Sequence, residues 1–207
     1  MEQQYLRHLV ETLTGKDNLK LIREEAVSFH KSHSASECFD AAMELYQSEY
    51  FQIQSVGVLL CGYIAAERAD ALAFLKGTVS LHPSWKVQEI LAMAFDAFCK
   101  ANGYQESIPI MHEWLSSDNA NTRRAVTEGL RIWTGRPYFK EHPEKAIELI
   151  ASLKDDESEY VRKSVGNSLR DISKKFPALI KAELLRWDLS SKRVLQVYKL
   201  AGRLVIS

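Results

Sequence analysis

The 207-residue sequence contains no apolar run approaching the roughly 18 to 20 residues that a membrane span requires. Its first segment, MEQQYLRHLVETLTG, interleaves polar and apolar residues and has no signal-peptide core, so a cytoplasmic address is expected. Cysteine is scarce. Cys38, Cys61 and Cys99 are odd in number, lie in apolar stretches and form no CxxC, which reads as buried reduced thiols and not as a disulfide framework. The six histidines form no HExxH and no Cys/His pair at zinc spacing, so neither a metal nor a cofactor is expected. Nine glycines and five prolines leave little room for linkers, and a single domain over 1–207 is large enough to bury a continuous core. A surplus of charge is also missing: 27 Lys and Arg balance 27 Asp and Glu. That balance weighs against a uniformly basic nucleic-acid binder and leaves a basic face open. With 46% hydrophobic and 26% charged residues the chain is neither disordered nor membrane-embedded.

No stretch alternates at period 2 long enough to make a strand, whereas period-3.6 patterning recurs throughout. It predicts an all-α chain with about twelve helices, near 2–14, 18–31, 36–46, 49–66, 69–81, 85–101, 107–116, 121–134, 143–153, 159–174, 178–187 and 191–204. Ser34-Ala-Ser-Glu37 has the form of a capping box, and Ser84 and Ser107 stand where N-caps belong. Pro109, Pro143 and Pro177 fall in first turns, where a missing N–H costs nothing.

Those prolines are spaced by 34 and 34, and IPIMHEWL, HPEKAIELI and FPALIKAELL read as one helix repeated three times. Second helices align as well. VQEILAMAFDAF (87–98), TRRAVTEGLRIW (122–133) and VRKSVGNSLRDI (161–172) superpose without gaps at offsets of 35 and 39, and QSVGVLLCGYI near 54–64 is a weaker copy. A helix pair recurring every 34 to 40 residues indicates an α-solenoid of the HEAT or armadillo kind, with an irregular helical bundle as the alternative.

At 100° per residue, Ala125, Val126, Gly129, Leu130, Ile132 and Trp133 share one arc of the helix at 121–134, and Arg123, Arg124, Thr127, Glu128 and Arg131 the other. In 159–174 Val165, Leu169 and Ile172 face inward and Lys163, Asn167 and Arg170 outward; in 85–101 Ile90, Leu91, Ala94 and Phe95 face inward and Trp85, Glu89 and Asp96 outward. Second helices of such repeats line the concave surface. Arg124 and Lys163 are then equivalent positions one rung apart, with Arg131 and Arg170 equivalent seven residues on, and together they form a short ladder of cations. The plainer reading is a solvated face with i,i+4 partners such as Arg124 and Glu128, each worth about 0.3 to 0.5 kcal/mol.

Trp85 stands opposite the apolar arc, four residues before Glu89. An exposed indole beside a carboxylate suits a cation or a flat base; alternatively the first turn bends and Trp85 packs on the preceding repeat. Charge is also unevenly spread. Residues 1–120 hold 9 Lys and Arg against 16 Asp and Glu, or −7, while 121–207 hold 18 against 11, or +7. A polyanion, or an acidic protein partner, is drawn to the C-terminal repeats.

The segments SWKVQEILAMAFDAFCKANGY (84–104), NTRRAVTEGLRIWTGRPYF (121–139) and EYVRKSVGNSLRDISKKFP (159–177) resemble the DNA alkylation repair family of HEAT-like repeat proteins, the AlkD-like glycosylases and their AlkF/AlkG-like relatives. That resemblance implies a right-handed, C-shaped solenoid of about six HEAT-like helix pairs whose concave groove grips duplex DNA by its backbone. Active members hydrolyse the N-glycosidic bond of cationic N3- or N7-alkylated purines, without flipping the base from the stack. Residue by residue, Trp85 matches a cleft tryptophan, Glu89 the catalytic aspartate and Arg124 a backbone-gripping arginine. Asn167 departs from the pattern, occupying the place of a second cleft tryptophan. Its absence removes about 1 to 2 kcal/mol of cation–π stabilisation at a desolvated site. Glu for Asp moves the carboxylate by one methylene. The chain also starts close to its first predicted helix, so an N-terminal element that helps relatives hold the lesion is expected to be missing.

Three functions follow as expectations. The first is a monomeric protein binding double-stranded DNA, damaged or branched, through Arg124, Arg131, Lys163, Asn167 and Arg170, with weak or absent base excision. The second is an active glycosylase using Glu89 and Trp85. The third is a protein–protein scaffold. The Trp85/Glu89 pair favours chemistry, Asn167 disfavours it, and clustered Arg and Lys favour a polyanion.

Overall fold

Apolar residues recurring at helical spacing fold here into helices from end to end; the computed structural model describes residues 3–15 and 18–206, with no strand among them. Position 2, where the patterning starts the first helix, lies outside the described residues. Two units of chain are separable, Met1–Asn102 and Gly103–Ser207.

The first unit contains α1 (Gln3–Leu13), α2 (Leu19–Ser32), α3 (Ala35–Tyr46), α4 (Phe51–Ile64), α5 (Ala69–Gly77), a 3-10 turn at Val79–Leu81, and α6 (Trp85–Asn102). The capping box forms: Ser34 Oγ accepts from the Glu37 N–H at 3.3 Å, and Glu37 Oε2 accepts from the Ser34 N–H at 2.8 Å. The Ser84 carbonyl accepts the first helical bond of α6, from the Gln88 N–H at 3.2 Å. Helix α4 is apolar on nearly every side and is buried accordingly, against α2, α3 and α6. Its two glycines are where neighbours come closest. A Cβ on Gly57 would sit 2.8 Å from the Ala42 carbonyl oxygen, and one on Gly62 would sit 2.6 Å from the Ala94 Cα. Cys38, Cys61 and Cys99 are free and buried, and burial pushes the Cys61 thiol up to about 12.

The second unit contains α7 (Ile108–Leu115), α8 (Ala120–Gly129), a 3-10 turn at Trp133–Gly135, α9 (Pro137–Glu141), α10 (Pro143–Ala151), α11 (Glu159–Ser173), α12 (Pro177–Leu184), α13 (Lys192–Ala201) and a 3-10 turn at Gly202–Leu204. Pro109, Pro143 and Pro177 occupy first turns, as does Pro137 of α9. Ser107 makes no side-chain cap; its hydroxyl donates instead to the Gly103 carbonyl at 2.6 Å. Within each unit second helices pack on one another, α2 on α4 on α6 and α8 on α11 on α13. Between α8 and α11 the contact includes buried hydroxyls: Ser164 Oγ donates to Thr127 Oγ1 at 2.7 Å and Ser168 Oγ to the Thr127 carbonyl at 3.2 Å.

One repeat position does the same work four times. Gln54 Nε2 donates to the Ser48 carbonyl at 2.8 Å, and Gln88 Nε2 to the carbonyls of Val79 at 3.0 Å and His82 at 2.7 Å. Arg123 Nη1 donates to those of Ser117 at 2.7 Å and Asp118 at 3.0 Å, and Arg162 Nη1 to those of Asp156 at 2.7 Å and Glu157 at 2.9 Å. In the repeat register these are equivalent residues, each tying down the loop before its own helix. Each clasp supplies side-chain donors to backbone carbonyls that a loop leaves outside any helical ladder.

The wheel over 121–134 therefore needs correction. Arg123 and Thr127, assigned to the outer arc, are buried, because the first clasps a loop and the second bonds across to α11. The helix also stops at Gly129, so Ile132 is not on its apolar arc and Arg131 is not a helical rung equivalent to Arg170. Ile132 adopts φ 56° and ψ 49°. Among the described residues it is the one non-glycine in the left-handed region, a conformation that costs about 1–2 kcal/mol. Trp133 and Phe139 pack their rings beyond it, with centroids 4.9 Å apart, and RPYF makes the extra helix α9.

Candidate nucleic-acid interface

In the first unit, α6 begins on Trp85, a residue 69% exposed. It does not bend back to pack on the preceding repeat. Lys86 takes that role, its Nζ lying 4.4 Å from the centroid of Phe51 and 6.0 Å from that of Trp85. Glu89 follows one turn later, half-buried, on the side opposite the fully buried Leu91 and Phe95. Tyr50 and Leu81 are also exposed, which leaves hydrocarbon on the surface around these helix starts.

In the second unit, α8 and α11 position the remaining candidates. Arg124 is half-buried on α8, while α11 carries Lys163 exposed and Asn167 and Arg170 half-buried. These cations are not bare. Lys163 Nζ pairs with Glu159 at 2.7 Å, an i,i+4 partner on its own helix, and this hydrogen bond holds the Glu159 carboxyl below its ordinary range. Arg131 Nε reaches Asp171 at 3.2 Å and its Nη1 reaches Glu128 at 3.5 Å. Asp171 also takes Lys174 at 2.8 Å, with Arg170 at 4.0 Å. Burial pushes the Asp171 carboxyl up, but hydrogen bonds from Lys174 and Arg131 outweigh it, and the carboxyl stays below its ordinary range. One carboxylate thus gathers three cations and leaves the cluster positive. The unit as a whole holds 18 Lys and Arg against 14 Asp and Glu, a surplus of +4.

Several residues here escaped the sequence reading. Tyr160, 75% exposed, opens α11 two turns before Asn167 on the same stripe; its signal was an aromatic residue at an outward wheel position. Lys174 extends that stripe at the next i+7 position. Asp171 had a local signal in Lys174, three residues on, but none for Arg131, which is 40 residues away. Among the described residues no group of three or more His, Cys, Asp or Glu could hold a metal ion, and no helix is long and apolar enough to cross a membrane.

Stacked helix pairs with second helices in contact, and loops clasped from the same register position, define a HEAT-like repeat protein. The chain belongs to the DNA alkylation repair enzyme family, whose pattern matches residues 18–185. It is 49% identical to AlkD2 from Streptococcus mutans, with a TM-score of 0.95 and 99% of each chain covered. A second structure, smu.31 from Streptococcus mutans UA159, is 50% identical with a TM-score of 0.92, over 98% of each chain. The alkylpurine DNA glycosylase AlkC from Pseudomonas fluorescens, solved bound to DNA containing an abasic site analog, shares the fold at 21% identity and a TM-score of 0.60, over 97% of this chain and 61% of that one. The uncharacterized protein YhaZ of Bacillus subtilis (strain 168) is 38% identical over 78 residues, which span 36% of this chain and 22% of that protein.

Proposed function

We propose that this protein binds double-stranded DNA, damaged or branched, through the α8–α11 face, and releases alkylated bases weakly or not at all. The observation that carries the reading is the grouping of Arg124 on α8, Lys163 and Arg170 on α11, Arg131 in the turn after α8 and Lys174 at the end of α11, in a DNA alkylation repair family member. Lys and Arg that neutralise phosphates release counterions, so binding should fall with salt. AlkC, which shares the fold, was solved on DNA, and this supports a nucleic-acid partner. Asn167 supports weak excision, because an amide offers a cationic base no aromatic ring face. The test is duplex binding across a salt series for the wild type and for Arg124→Ala and Lys163→Ala.

The exposed indole of Trp85 favours a second reading, an active glycosylase for cationic alkylpurines. Glu89 would then stabilise oxocarbenium-like charge on the sugar and orient a water. Release of methylated purines from alkylated DNA, by the wild type and by Glu89→Gln, decides between the two.

A further inference from the structure

The turn between α8 and α9 holds an aliphatic side chain in the open. Ile132 has left-handed backbone angles that suit glycine or asparagine and oppose a β-branched residue. Burial does not offset that strain, since the residue is 53% exposed. Nor is the turn loose. On one side Leu130 is fully buried, and on the other Trp133 is fully buried with its Nε1–H donating to the Thr127 carbonyl at 3.4 Å. Arg136 spans the turn, its guanidinium donating to the carbonyls of Gly129 at 3.1 Å and Arg131 at 3.3 Å. Strain that surrounding structure maintains at an exposed residue points to a contact made outside the chain.

The charges beside Ile132 indicate what that contact is. Arg131 precedes it directly and reaches Asp171 at 3.2 Å, where Lys174 and Arg170 also gather. An aliphatic group beside a positive cluster matches a polyanion that carries hydrocarbon between its charges. Duplex DNA is such a partner, with deoxyribose between successive phosphates, and apolar side chains flanked by Arg and Lys are a recurrent way of entering its grooves. We propose that Ile132 is an apolar contact to the deoxyribose wall of a duplex groove, held out by the strained turn. The proposal rests on the DNA reading above and adds a residue that contributes no charge.

The test separates fold from binding. Ile132→Gly relieves the backbone strain, so its melting temperature should rise by roughly 2–4 °C. Its affinity for a short DNA duplex should nevertheless fall roughly tenfold, with an unchanged salt slope, because no counterion-releasing group is removed. Ile132→Leu should bind as the wild type does. Poly-glutamate, a polyanion without sugars, should bind wild type and Ile132→Gly equally. Unchanged duplex affinity in Ile132→Gly overturns the proposal, as does a fall in melting temperature alongside the affinity, or an equal loss for poly-glutamate. A wild-type chain that retains no duplex overturns the DNA reading itself, and this use of Ile132 with it.

Discussion

Arg123 grips Asp156 with both arms of its guanidinium, Nε to Oδ2 at 2.6 Å and Nη2 to Oδ1 at 2.8 Å, and both side chains are more than nine-tenths buried. The remaining donor capacity goes to the Ser117 and Asp118 carbonyls, so one side chain joins the loop before α8 to the loop before α11. The hydrogen bonds to Asp156, with the attraction of its negative charge, hold the Arg123 guanidinium above its ordinary range.

Removing one member of that pair strands the other. Arg123→Ala leaves the Asp156 carboxylate buried without its counter-charge, and the expected loss is about 3–5 kcal/mol in urea unfolding. Arg123→Ala with Asp156→Asn should lose clearly less than the two single losses summed. Additive losses would mean that the two residues do not act as a pair.

Gly62 offers a separate test of the packing. Alanine is the better helix former by about 1 kcal/mol, yet its methyl would press into the Ala94 backbone, and overpacking costs about 1–3 kcal/mol. Gly62→Ala should therefore lower the melting temperature. Gly77→Ala, whose added methyl meets nothing within 4 Å, should not.

Phosphate contacts are legible in salt dependence. Arg124→Ala or Lys163→Ala should weaken duplex binding about equally for all sequences and flatten the log–log salt slope by roughly one unit. Lys163 must leave Glu159 to reach a phosphate, so Glu159→Gln should tighten binding. A salt slope unmoved by either alanine variant would remove these residues from the interface.

Asp171 links binding to acid stability. Its folded pKa is lowered, so the stability it contributes is present above its unfolded value, about 3.9, and is lost as the pH falls through the folded value. Asp171→Asn should consequently be less stable than wild type at neutral pH, with the difference narrowing below about pH 4 in thermal melts. The same substitution frees Arg131 and Lys174, and duplex affinity at neutral pH should rise with a steeper salt slope.

If excision occurs, Glu89→Gln should abolish it while circular dichroism stays at the wild-type spectrum, because Glu89 lies outside the apolar core and Gln keeps its size and an acceptor oxygen. Release of 7-methylguanine or 3-methyladenine at the wild-type rate would remove Glu89 from the chemistry.

Most of the helices and their inward faces were legible because they rest on local rules. Val165, Leu169 and Ile172, or Ile90, Leu91 and Phe95, fall on one arc of a 3.6-residue period, and that arc is buried. Prolines in first turns and the Ser34–Glu37 box fixed starts for the same reason, since each partner is within a few residues. Trp85 was singled out as an outward indole and stands exposed, although a wheel alone could not exclude a bent first turn.

The side chains misplaced by the wheel share one cause. A wheel sees one helix, whereas Arg123 is buried by a residue 33 positions on, Thr127 by one 37 positions on, and Arg131 is taken up by one 40 positions on. Each separation is close to one repeat, so each partner lies in the next copy of the motif. The sequence by itself determined the helices, their period and the faces they bury, because 3.6-residue spacing and capping act within one or two turns. Tertiary structure alone decided which cations are clasps and which remain on the surface, and where α8 ends in a strained turn. Those outcomes depend on carboxylates and carbonyls that only the stacking of repeats brings within hydrogen-bond reach.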